Sequence, residues 1–151
     1  MTVMTWGGLV AALGFALAGL SVQHLSAMSL HSNRQEAQNL ARSAVSKAIE
    51  RLLSQPSFGK APPAGQMLKI ELTGSRPGAL GLLTFHPGEA RDNGIDYSVN
   101  NLEGTQPVIG ALQRPVAAAQ AQLIGEGRCG GVVRKVVAVL AVPPFPYAIA
   151  S

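Results

Sequence analysis

Residues 31–53 read HSNRQEAQNLARSAVSKAIERLL, with no Gly or Pro to interrupt them. Ala37, Leu40, Ala41, Ala44, Val45, Ala48, Ile49 and Leu52 recur at spacings of three and four, which places them on one face of an α-helix. Gln35, Gln38, Arg42, Lys47, Glu50 and Arg51 fill the other faces. The apolar stripe is dominated by Ala, so whatever it meets can come close to the helix backbone. Ser54-Gln55-Pro56 ends the pattern, because the residue before a proline is driven out of helical geometry.

Working toward the N-terminus, Trp6 to Leu30 reads WGGLVAALGFALAGLSVQHLSAMSL, 25 residues without a formal charge. As a helix it is about 37 Å long against a hydrocarbon core of about 30 Å, enough to cross a bilayer. The preceding MTVMT carries no Lys or Arg, and the apolar stretch outruns the h-region of a secretory signal, so a retained span is favoured over a cleaved one. Gly8, Ala12, Ala16 and Gly19 form a small-residue face of the kind that packs membrane helices together, although Gly and Ala are common in such helices generally. One helix is therefore expected through residue 53, its first half in lipid. Arg34, Arg42, Lys47 and Arg51 follow the span, and the positive-inside rule alone would put the distal side in the cytoplasm.

Beyond the helix, SQPSFGKAPPAGQ at 54–66 reads as a Pro/Gly linker, and residues 67–151 as a small antiparallel β-rich module. Strands are expected at Met67–Leu72, Leu80–Phe85 and Ile95–Val99, separated by Gly74, Pro77-Gly78, Pro87-Gly88 and Asn93-Gly94. Ala119, Ala121 and Leu123 alternate with Gln120 and Gln122, and the valine-rich VVRKVVAVLAV covers 132–142. Joined across Gly125–Gly131, these two runs make a hairpin. FPYAIAS, at the end, reads as the opening of a further strand, which either tucks in as an edge strand or belongs to a longer chain, the second being favoured slightly. The fold class is α+β: a long N-terminal helix with a transmembrane half at 1–30 and an amphipathic half at 31–53, followed by the β-rich module.

The composition narrows the functions. All 20 charged side chains lie after position 33, and the 12 Lys and Arg never run more than two together. With only 5% aromatic residues, that basic balance lacks the clustering of a nucleic-acid surface and reads as solvated. A single cysteine, Cys129, permits no internal disulfide.

Gly125-Glu126-Gly127-Arg128-Cys129-Gly130 matches G-x-G-x-x-G, but a valine-rich run follows it instead of a helix, and no acid comes after Glu126. It reads as a glycine-rich turn. His86, Glu89 and Asp92 could ligate a cation only if a helix aligned them, and Pro87-Gly88 argues against a helix there. His24 reads as an interfacial residue and Cys129 as a passive thiol. No catalytic residues, cofactor or metal are expected, and the chain is not read as an enzyme.

An apolar N-terminal half running unbroken into an Ala-rich half that ends ARSAVSKAIERLL resembles the N-terminal helix of type IV pilin-like proteins. It is most similar to the PilX-type minor pilins and pseudopilins. Their xLAxxAxxxAxxxL stripe is matched by Leu40, Ala41, Ala44, Ala48 and Leu52. The resemblance covers about a third of the chain. It implies an inner-membrane, single-pass subunit of a type IV pilus or type II secretion-like filament, with its β-rich domain in the periplasm or outside the cell. Its partners would be inner-membrane lipid and other pilin-like subunits, bound through Gly8, Ala12, Ala16, Gly19, Ala37, Leu40, Ala41, Ala44, Ala48 and Leu52. Two features depart from the family: no basic leader ending in Gly precedes the apolar segment, and the first acid is Glu36. A misassigned or truncated start would account for the missing leader. The alternative is a single-pass, membrane-tethered periplasmic binding or scaffold module unrelated to pili, whose helix packs on its own β domain.

Overall fold

The structure, a computed structural model, describes the backbone of residues 3–60 and 69–142, and their side chains except in 3–20 and at 22. The α+β class holds: one long helix, α1 (Val3–Ser54), precedes a small antiparallel sheet. At 52 residues α1 is about 78 Å long. It ends where the sequence predicts, with the Ser54 hydroxyl donating to Arg51 O at 3.0 Å and Gln55 N to the same oxygen at 2.7 Å. The transmembrane half finds no support among the described residues, where no helix is long and apolar enough to cross a membrane.

The sheet is built from β1 (Lys69–Thr73), β2 (Leu80–Thr84), β3 (Val99–Asn101), β6 (Gln120–Cys129) and β7 (Val132–Ala141). Its spine is β6. Along one side it pairs with β7 over its whole length, from Gln120↔Ala141 to Cys129↔Val132. Along the other it pairs with β2 near its end and with β3 near its start, while β1 closes the far edge beyond β2. Two short strands, β4 (Val108–Ile109) and β5 (Pro115–Val116), form a separate ribbon in the loop after β3. Asn101 holds that loop in place, its buried amide donating to Gln106 O, Val116 O and Ala117 O.

Four sequence expectations are corrected. The hairpin turn is Gly130-Gly131 alone, and Gly125 to Cys129 belong to β6. Both turn glycines have positive φ, +52° and +77°, as a two-residue type I′ loop requires. The segment after β2 is helical, α2 (Pro87–Asn93): Pro87 sits in the first turn, where its missing N–H costs nothing, and His86 caps it by accepting from Glu89 N at 3.3 Å. Gly94 then closes α2 in the left-handed conformation, so residues 95–98 lead into β3 instead of forming the expected strand. Finally, Phe58 is no part of a free linker. It is buried, packs edge-on against Phe85 at 5.4 Å, and lies under the Arg51 guanidinium. Residues 61–68 and 143–151, which include the rest of the linker, the start of the first expected strand and the terminal FPYAIAS, lie outside the described residues.

Candidate functional site

Every stripe residue predicted as a packing surface beyond the span is buried: Ala37, Ala41, Ala44 and Ala48 at 0% exposure, with Leu40 and Leu52 nearly so. Their partner is the sheet of the same chain. Ala44, Val45, Ala48 and Leu52 join Ile70, Leu83, Phe85, Ala121 and Leu123 in the main core, while Ala37 and Leu40 meet Ala79 and Cys129 in a second cluster. The pilin-like reading expected the stripe to face other subunits and the alternative expected it to face its own β domain; here the sheet of the same chain covers it. The physical reason is the small-residue surface that the sheet presents to it.

That surface was missed in the sequence. On β6, alternate residues Ala121, Leu123, Gly125, Gly127 and Cys129 share one face, and Gly81 of β2 stands opposite Gly127. A β-carbon on Gly125 would lie 2.5 Å from Ala41 O, one on Gly81 would lie 2.8 Å from Leu40 O, and one on Gly127 would fall inside the Ala37 carbonyl. The glycines are a groove for the helix backbone, and the Ala stripe is its complement. Period-two alternation continuing from Ala121 through Cys129, with Gly inside the strand, was the available signal.

Where α1 leaves the sheet, polar groups from two turns grip it. Arg76, in the β1–β2 turn, donates to Asn33 Oδ1 and Ser32 Oγ. Ser75 donates to Glu36 Oε1 through both N and Oγ, each at 2.9 Å. These two bonds, the backbone one first, hold the Glu36 carboxyl below the usual carboxylate range, with Arg76 adding to the effect. Cys129, at the β6–β7 turn, is buried within 3.7 Å of Asn33 Oδ1, which agrees with its reading as a passive thiol.

Ser21 and residues 23–31 are exposed, among them Leu25 at 66% and Met28 at 58%. Gly8, Ala12, Ala16 and Gly19 occupy α1 positions whose side chains lie outside the described residues. A second open surface is the outer face of β7, where Val133, Val137 and Val139 are exposed.

The other candidate polar groups, Glu126, Lys135, His86 and Glu89, form structural contacts. Glu126, 3% exposed, is held by Arg128 Nε at 2.8 Å and Lys135 Nζ at 3.7 Å, and the strand β7 follows it where a dinucleotide site would need a helix. The hydrogen bond to Asp96 at 3.0 Å raises Lys135 above the ordinary lysine value, against a smaller desolvation effect. The α2 helix does bring His86 near Glu89, but the ring caps α2 and Glu89 accepts from the Thr84 hydroxyl at 2.9 Å. Among the described residues no three His, Cys, Asp or Glu side chains are placed to share a metal ion. The chain matches no protein-family model, no curated protein and no solved structure.

Proposed function

We propose that this chain is a membrane-anchored, non-enzymatic structural subunit of pilin-like type, whose helix inserts in the inner membrane and whose sheet domain faces the periplasm or the cell exterior. One observation carries the reading: α1 runs far past its own domain, and the side chains described on the projecting part include exposed Leu25, Met28 and Leu30. An apolar helix surface of that kind is stable only in lipid or against other helices. Because the sheet uses up the Ala stripe, contacts with neighbouring subunits fall to the projecting half and to the polar face of the outer half. The uncharged stretch at 6–30, read from the sequence as a span, and the resemblance to minor pilins and pseudopilins supply the rest of the reading.

The second reading, a tethered periplasmic binding or scaffold module, is favoured by a different observation: the outer half of the helix packs on its own domain. Cysteine crosslinking separates the two. With Cys129 replaced by Ala and Met28 by Cys, a filament subunit gives crosslinked species with other subunits in native membranes. A tether gives monomers only, and that result would overturn the filament reading.

A further inference from the structure

We infer that the end of the domain from which α1 emerges is a cationic collar that seats on an anionic lipid surface; this rests on the membrane-anchored reading above. The fold carries basic residues remote in sequence to the end of the domain from which α1 emerges. Arg34 lies on α1 one residue from Asn33, which both turns touch. Arg76 arrives on the β1–β2 turn. Arg134 stands opposite Gly127, the residue that backs onto Ala37. None of the three enters a salt bridge among the described residues, Arg76 donating only to the uncharged Asn33 and Ser32, whereas Arg128, on the opposite face of β6, is spent on Glu126 and Asn93 O. Glu36, the acid at the exit among the described residues, is occupied by Ser75 and lies close enough to Arg76 to feel its charge.

Scattered along the sequence, these arginines read as an ordinary solvated surface. In the fold they surround the root of the helix that enters the bilayer, within reach of headgroup phosphates once the helix is inserted. Guanidinium groups pair with phosphate oxygens through paired N–H donors, and juxtamembrane basic residues gain about fivefold each in binding at an anionic surface. The collar therefore holds the domain upright against the membrane instead of leaving it to swing.

The test is hydrogen exchange of the turn amides of Ser75, Arg76, Gly78, Gly130 and Gly131 in the full chain, reconstituted in nanodiscs of phosphatidylcholine and in nanodiscs one third phosphatidylglycerol. Exchange is expected to slow in the anionic discs only. The protection should disappear in molar salt and fall about 25-fold in the doubly substituted Arg34→Gln/Arg134→Gln chain, which keeps the Arg76 contacts to the helix. Equal exchange in both kinds of disc, with the chain inserted, would overturn the collar and leave the anchor standing. A chain that inserts in neither would overturn both.

Discussion

Replacing Gly125 by Ala tests the fit of helix and sheet at the strand glycine that comes nearest the helix backbone after Gly127. The new methyl group would stand 2.5 Å from Ala41 O and 2.8 Å from Val45 Cγ2. Carbon and oxygen separate normally at about 3.2 Å or more, so α1 must retreat by about 0.7 Å, and the obstacle is backbone that cannot rotate away. A gap of that size forfeits about a quarter to a half of the dispersion energy of each contact it opens, and Ala44, Ala48 and Leu52 share the same helix face. Overpacking typically costs 1–3 kcal/mol, and the rigid obstacle puts this case near about 3 kcal/mol. In a domain of this size that lowers the midpoint of thermal unfolding by about 10 °C. The assay is thermal denaturation of the full chain in detergent micelles, with Gly127→Ala alongside as the more severe case. In an open strand the same change would stabilise by about 0.5–1 kcal/mol, so the sign is diagnostic. An unchanged or raised midpoint for Gly125→Ala would refute the claim that these glycines exist to admit the helix.

Other outcomes follow from the same contacts. Asn101→Ala leaves Gln106 O, Val116 O and Ala117 O without their shared donor, and should cost about 2–3 kcal/mol in urea denaturation while freeing the 102–117 loop to proteolysis. The Lys135–Asp96 pair is partly exposed and contributes less than about 1 kcal/mol. Because the folded-state value of Lys135 is raised, that contribution is full below the ordinary lysine range and vanishes as pH rises through the folded value; Lys135→Met should flatten the alkaline arm of a stability–pH curve. The carboxyl of Glu36 is lowered, so its support for the helix exit is present above the ordinary carboxylate range and is lost as pH falls through the folded value, visible as a falling protection factor of the Ser75 amide, measured against the unstructured chain at the same pH. Cys129 should stay unmodified by maleimide in the folded chain and react at the rate of unfolding; a topology assay by thiol labelling therefore needs a surface cysteine, for instance at Leu112.

Several elements were legible because local chemistry decides them. A three-and-four repeat without Gly or Pro, stopped by Ser54-Gln55-Pro56, can only be an amphipathic helix, and the stripe from Ala37 to Leu52 is the face that the fold buries. The valine run at 132–142 and the positions of β2 and of the β6 start followed from β-branched and alternating residues. What the stripe would bury against was not legible, since a helix face has the same pattern whether a sheet or another subunit covers it. Gly125 and Gly127 misled for a related reason: glycine marks both a turn and a close backbone approach, and only the helix lying across β6 distinguishes the two. Pro87 misled because its cost depends on whether it falls inside a helix or in its first turn, which the His86 cap decides. The gathering of Arg34, Arg76 and Arg134 at the helix exit depends on strand pairing between residues far apart in the chain, so no local pattern could announce it. Sequence by itself determined which faces are apolar and where the chain turns, because those are set by side-chain spacing and backbone preference. Tertiary structure alone decided which surfaces meet, because that depends on long-range register and on whether two backbones can approach to within a missing β-carbon.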